Sequence, residues 1–222
     1  MNMIRQTDAM KVFQKNIDRT NSLIAAMEKI GAYNRIYQMN AAEVDSGYAS
    51  IVTEIQDKEL RRIEKSCSEH AIISLATAFE TFYKELLQEL LYCHANFFLT
   101  RNTKYTDKLA ILIKQQEQFS YEQIEVKLKL QRRFDYYSFF EAYSVPFLET
   151  KETEFVEYLY IKRNNLVHNA GKLDEKTLGR LKNTPSPVNE ISIVTESKRL
   201  RTKFTKLIRI VNRRTKEAIS QE

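Results

Sequence analysis

The sequence predicts an all-α protein, because it is poor in turn residues, contains one long uninterrupted segment and repeats apolar residues at helical spacing. Its 222 residues include only 4 glycines and 3 prolines, whereas a sheet protein needs many tight turns. Neither residue type occurs from Thr53 to Leu99. We therefore expect a single helical domain over residues 1–222, with residues 1–52 as an N-terminal helical extension and residues 53–219 as the core.

The first half of the chain contains two segments with this periodicity. Over residues 8–30, apolar side chains recur with the roughly 3.6-residue period of a helix, and Gly31 ends the pattern. The segment from Thr53 to Leu99 is the predicted spine of the domain, with Ser66 as the place where a break would fall. A stripe along this segment, rich in small residues, would let another helix approach closely; its members are Ile63, Cys67, Ala71, Ser74, Ala78, Thr81 and Phe82.

The second half is predicted to contain shorter helices around an aromatic segment. This segment, QRRFDYYSFFEAY, is so rich in aromatic residues that we interpret it as core or as a dimer interface. Pro146 closes it, and TPSP at 184–187 is a predicted surface loop. The helices predicted in this half cover residues 106–118, 121–132, 152–168 and 196–218.

The charge and hydropathy of the chain indicate in which cellular compartment the protein works and which kinds of partner it can bind. The formal net charge is +6, which permits a polyanionic partner without requiring one. Cys67 and Cys93 would lie about 40 Å apart on one long helix, too far for a disulfide. The N-terminal residues are too polar for a signal peptide, and no apolar run approaches the roughly 18–20 residues that span a bilayer. These observations predict a cytoplasmic protein that does not enter the membrane.

Several common classes of site have no signal in the sequence. Neither GxxxxGK[ST] nor GxGxxG is present, which argues against the common nucleotide-binding enzymes. No HxH, CxxC or paired carboxylate–histidine pattern indicates a ligand set, so we expect neither a metal nor another cofactor. Glu80 is interpreted as a solvated charge rather than as a partner of Arg163, and His70 and His94 are given no catalytic role.

The segment RNNLVHNAG, residues 163–171, concentrates polar side chains at the end of an apolar helical run. On a helix, Asn164 and His168 are four residues apart and share a face. Arg163 lies about 140° round the axis from His168, but its long side chain can swing toward the same solvent pocket. Gly171 is placed to end the helix in a left-handed conformation. Taken alone, His168 is explained as a cap favoured by the helix dipole, and Arg163 as a solvated charge.

The neighbourhood of this segment resembles the HEPN superfamily. The motif of that superfamily is an arginine, a short spacer and a histidine, usually with Asn, Asp or His directly after the arginine. Here the matching residues are Arg163, Asn164 and His168, followed by Asn-x-Gly. HAIISLATAFETFYKELLQELL is similar to the long helix that precedes the motif helix in HEPN domains. The order of long helix, insertion, motif helix, loop and final helix is also similar, over residues 55–215.

The resemblance implies a fold and a chemistry. HEPN domains are all-helical, usually dimeric, and many are metal-independent endoribonucleases. His168 would take the proton of an RNA 2′-hydroxyl as a general base, and Asn164 would orient the imidazole or bond a phosphate oxygen. Arg163 would hold the phosphate through paired N–H bonds and stabilise the added charge of the pentacovalent state. A homodimer would supply a second motif histidine to protonate the leaving oxygen, giving 2′,3′-cyclic phosphate and 5′-hydroxyl ends.

The final helix carries a basic face that is a candidate RNA contact. Most such faces are simply solvated. If RNA is the substrate, Arg209, Arg213 and Arg214 are the expected phosphate contacts. Arg132 and Arg133, which stand beside aromatic residues, are further candidates for RNA binding. The apolar stripe opposite the basic face consists of Phe204, Leu207, Ile208 and Val211.

The resemblance further implies a toxin or antiphage defence effector that acts on RNA and is restrained by an antitoxin or triggered through a defence-system partner. The alternative is a HEPN module without catalysis that serves interaction, or an RNA-binding regulatory module. The presence of both Arg163 and His168 favours the enzyme, because a non-catalytic domain has no need of the pair.

Overall fold

The computed structural model describes residues 46–115, 120–168 and 193–221, together with single positions between 10 and 25 and at 179. Within these residues every regular element is an α-helix and there is no strand, which confirms the predicted all-α class. None of the described helices combines the length and the apolar composition that crossing a membrane requires.

Seven helices are described, and each is numbered in chain order. They are α1 (Ser46–Cys93), α2 (Ala95–Leu99), α3 (Thr106–Gln115), α4 (Tyr121–Leu128), α5 (Arg133–Ala142), α6 (Thr150–His168) and α7 (Ile193–Ser220). The helix predicted over residues 8–30 and the loop predicted at 184–187 lie largely or wholly outside the described residues. The described positions in the former are helical, and Met10 and Ile17 are buried.

The chain divides into two compact units. The first unit comprises Met1–Lys15, Ala76–Tyr158 and Lys203–Glu222, and the second comprises Asn16–Leu75 and Leu159–Thr202. Helices α1, α6 and α7 each contribute residues to both units.

Helix α1 is continuous through 48 residues, so the break considered at Ser66 does not occur. A serine in a helix interior lowers the stability of the helix by only about 0.5 kcal/mol relative to alanine. Neither glycine nor proline follows Gly47 in this helix. The predicted stripe is wrong at Ile63 and Ser74, which are exposed. The buried face carries bulkier side chains instead, among them Ile72 and Leu75.

Helix α4 ends earlier than the prediction of residues 121–132. Ser120 and Gln123 form a capping box at its start. Lys129 then adopts a left-handed conformation with φ of 59° and closes the helix. The backbone N–H of Arg132 donates to Asp135 Oδ2 at 2.7 Å, and this bond starts α5.

The aromatic segment forms core of the first unit, in agreement with one of its two predicted interpretations. Tyr136, Phe139, Phe140 and Tyr143 are each at most 1% exposed. The ring of Phe140 stacks on that of Phe147, with 4.3 Å between the ring centroids. In α7 the predicted apolar stripe is confirmed, because Phe204, Leu207, Ile208 and Val211 are all buried.

Candidate functional site

The motif residues lie on the last two turns of α6, which ends at His168. The side chains of Asn164 and His168 are exposed, and that of Arg163 is half-buried. Lys162 and Asn165, by contrast, are 9% and 4% exposed. The helix therefore turns Asn164 and His168 toward solvent, while Lys162 and Asn165 lie on its packed side. The Asn-x-Gly that follows the motif lies outside the described residues.

Arg163 and Asn164 contact each other directly. The Arg163 Nη1 group donates a hydrogen bond to Asn164 Oδ1 at 2.9 Å. This contact uses the carbonyl oxygen of the amide, so the amide nitrogen of Asn164 is the group left to donate to a phosphate oxygen. The expectation that Asn164 orients the imidazole of His168 stays a prediction. What the structure adds is that Asn164 orients the guanidinium of Arg163.

Arg133, one of the candidate RNA contacts, is occupied by a carboxylate. Its Nε and Nη2 donate to the two oxygens of Glu157 at 2.9 and 2.7 Å. The pair is bidentate. The side chain of Arg133 is 20% exposed and that of Glu157 is 25% exposed. This ion pair connects α5 to α6. Arg132, next to it in the chain, is exposed.

Arg214, another candidate, is bonded to several acceptors of the first unit. It donates to Glu149 Oε1 and Glu152 Oε2, both at 2.6 Å. It also donates to the backbone carbonyls of Pro146 and Phe147 at 2.7 and 3.0 Å. Two carboxylates and two carbonyls therefore surround one guanidinium that is 19% exposed. Its charge is compensated inside the fold.

The remaining candidates on α7, Arg209 and Arg213, have exposed side chains. They stand on the solvent side of the helix, whose opposite side is the buried apolar stripe. The five arginines that the sequence offered as RNA contacts therefore fall into two groups, according to whether they bind carboxylates or face solvent. Arg133 and Arg214 hold helices together, whereas Arg132, Arg209 and Arg213 present their charge to solvent.

The other residues considered from the sequence have local partners. Glu80 pairs with Lys84 at 3.4 Å on α1, and its carboxylate is 45% exposed. The Nδ1 atom of His70 lies 2.8 Å from the carbonyl oxygen of Ser66, one turn earlier. His94 lies between α1 and α2, where burial and the positive charge of Lys216 lower the pKa of its imidazole. Among the described residues, no group of three His, Cys, Asp or Glu side chains is arranged to hold a metal ion.

No protein-family model matches this chain, and no curated protein or solved structure matches it either.

The different surroundings of Arg214 and its neighbour Arg213 predict different effects of their substitution on stability. We expect Arg214→Gln to lower the free energy of unfolding by about 1.5–3 kcal/mol, because it leaves two carboxylates and two carbonyls without a charged donor. Arg213→Gln, a matched change on an exposed residue, should alter it by less than about 0.5 kcal/mol. Urea unfolding followed by circular dichroism measures both. Equal effects of the two substitutions would contradict the difference described here.

Proposed function

We propose that this chain is a ribonuclease-type member of the HEPN superfamily, a metal-independent endoribonuclease that acts in the cytoplasm. The observation that supports this most is the placement of Arg163, Asn164 and His168. All three lie within the last two turns of one helix, with His168 exposed and the guanidinium of Arg163 held by Asn164. A structural cap would explain His168 alone, but it would not explain an arginine that a neighbouring amide orients.

The chemistry follows from these groups. The imidazole of His168 accepts the proton of the ribose 2′-hydroxyl, and the resulting oxygen attacks the adjacent phosphorus. The guanidinium of Arg163 donates to the non-bridging phosphate oxygens and stabilises the charge that grows in the pentacovalent state. Asn164 keeps the guanidinium in place and donates its amide N–H groups to the same phosphate. The bond from phosphorus to the 5′-oxygen breaks, which leaves a 2′,3′-cyclic phosphate and a 5′-hydroxyl.

The leaving 5′-oxygen needs a proton, and one chain carries one motif histidine. We propose that a homodimer brings a second His168 to the same phosphate. Val167, directly before His168, is 46% exposed. A half-exposed valine next to the motif is the apolar contact that we assign to this dimer interface. Such a dimer places the same surface of both copies in contact.

We assign the contacts with the RNA backbone to Arg132, Arg209 and Arg213, and we leave Arg133 and Arg214 out of this set. A guanidinium that already neutralises carboxylates would have to lose those bonds before it could bind a phosphate. The biological role that the resemblance suggests is that of a toxin or antiphage effector. An antitoxin or a defence-system protein would then hold the activity in check.

The catalytic assignment is tested with His168→Ala and Arg163→Ala. We expect cleavage of single-stranded RNA to fall by about 10²–10⁴-fold for loss of the general base. The free energy of unfolding should change by less than about 1 kcal/mol, as for surface substitutions in general. His70→Ala and Arg62→Ala, two exposed residues of α1, are the matched controls and should keep full activity.

Two further readouts belong to the same experiment. Cleavage should continue in EDTA, and the products should end in 2′,3′-cyclic phosphate. The proposal is overturned if the His168→Ala protein cleaves like the wild type, or if chelation abolishes cleavage and Mg²⁺ restores it. A non-catalytic interaction module would show no cleavage in any of these proteins.

The dimer is tested with Val167→Lys, which adds a charge beside the motif. We expect a shift toward monomer in sedimentation velocity and a parallel loss of cleavage, because like charges would meet across the symmetric interface. Val126→Lys is the matched control, since Val126 is 80% exposed on α4. A wild-type protein that is monomeric and fully active at micromolar concentration would refute the composite site.

The RNA contacts are tested with the double substitution Arg209→Gln and Arg213→Gln. For single-stranded RNA, each lost phosphate contact should reduce the slope of log K against log salt by about 0.7. Binding is measured with the His168→Ala protein so that the RNA stays intact. Arg61→Gln with Arg62→Gln, on exposed positions of α1, changes the net charge equally and should leave the slope unchanged. An equal effect of the two pairs would place no RNA contact on α7.

A further inference from the structure

A cavity opens where the chain passes from α1 into α2. Its volume is about 550 Å³, and the residues that line it include Tyr92, Cys93, His94, Phe97 and Arg101. All of these belong to the first unit. Sites for small ligands are typically about 300–1,000 Å³ in volume. None of the motif residues and none of the arginines assigned to RNA line this cavity.

Arg101 and Phe97 form a flat platform in the wall of this cavity. The guanidinium carbon of Arg101 lies 3.6 Å from the centroid of the Phe97 ring. Its Nη1 group donates to the Phe97 backbone carbonyl at 2.9 Å. The ring contact and the hydrogen bond together fix the plane of the guanidinium. Guanidinium planes and aromatic rings are the surfaces on which proteins stack unpaired nucleobases.

A second aromatic ring stands at the same cavity. Tyr92 is 58% exposed, although it occupies the last turn of a helix whose neighbouring Leu90 and Leu91 are fully buried. Its ring offers an apolar face and its hydroxyl a polar group to a ligand in the cavity. Asn96 also lines the cavity, and its amide carries both donors and an acceptor for the edge of a base.

The charge of the cavity favours an anion. Among the described residues that line it, none is acidic, and Arg101 is permanently charged. The nearby Glu89 is already engaged, since its Oε1 accepts from Lys216 Nζ at 2.8 Å. His94 itself lines the cavity, and its imidazole can donate to an anionic oxygen.

We propose that this cavity binds a nucleoside phosphate, with the base stacked on the Arg101–Phe97 platform or on Tyr92 and the phosphate beside His94 and Arg101. This site is separate from the motif on α6 and does not depend on ribonuclease activity. The same chemistry is offered by a free nucleotide and by a nucleotide within an RNA strand. An inorganic anion would have no use for the two aromatic surfaces.

Cys93 provides a direct reporter, because it lines the cavity and is exposed. The protein for the experiment carries Cys67→Ser, so that Cys93 is the remaining thiol, and His168→Ala, so that RNA is not consumed. Alkylation of Cys93 by iodoacetamide is followed by mass spectrometry. At ten times the dissociation constant of the ligand, occupancy should slow alkylation about tenfold.

Adenosine 5′-monophosphate and a 5′-phosphorylated hexanucleotide RNA are compared as ligands. Protection by the mononucleotide identifies a free nucleotide as the ligand, and protection by the hexanucleotide alone identifies a nucleotide within a strand. Adenosine and ribose 5-phosphate, which lack the phosphate and the base respectively, should each protect less well. Absence of protection by both nucleotide ligands overturns the proposal.

Substitutions test the platform itself. Arg101→Gln and Tyr92→Ala should each weaken binding about tenfold to a hundredfold, as expected for loss of a stacking surface. Tyr92→Ala changes an exposed side chain, so it keeps the test valid if Arg101→Gln lowers stability. Arg61→Gln, an exposed arginine that does not line the cavity, is the matched control. Unchanged affinity in both test variants, or protection by ribose 5-phosphate equal to that by the nucleotide, also overturns the proposal.

Discussion

The guanidinium of Arg214 joins the last helix to the segment that leads into the motif helix. It binds two carboxylates, Glu149 and Glu152, and two backbone carbonyls, those of Pro146 and Phe147. These carboxylates stand at the N-terminus of α6, where negative charge is favourable. Arg214 donates hydrogen bonds to the backbone carbonyls of Pro146 and Phe147, which lie outside any helix. Phe147 can therefore remain buried against Phe140 without leaving its backbone polar groups unpaired.

The exposure pattern at the end of α6 follows from its helical period and its packing. An α-helix advances by about 100° per residue, so side chains three or four residues apart share a face. Lys162 and Asn165 lie on the packed side of α6, whereas Asn164 and His168 are exposed. Arg214 acts at the other end of the same helix, where it binds Glu149 and Glu152.

Among the described residues, basic side chains serve three distinct purposes, and their neighbours decide which. Arg214 and Arg133 meet carboxylates in half-buried surroundings and stabilise the packing of helices. Arg101 lies over an aromatic ring and shapes a cavity. Arg209 and Arg213 meet solvent and remain available to a polyanion. The net charge of +6 already counts the carboxylates that pair with Arg133 and Arg214, so the excess positive charge lies on other basic residues.

The sequence by itself determined the all-α class, the apolar stripe of α7 and the position of the motif near the end of a helix. These features follow from local periods and from the scarcity of glycine and proline, which can be read along the chain. Tertiary structure decided which of two adjacent arginines is exposed, because the carboxylates that bind Arg214 come from positions 62 and 65 residues earlier. It also decided that Ser66 lies within an unbroken helix and that Phe97 and Arg101 line a cavity. Helical period fixes the face on which a side chain lies, but its partner is set by packing between segments that are distant in sequence.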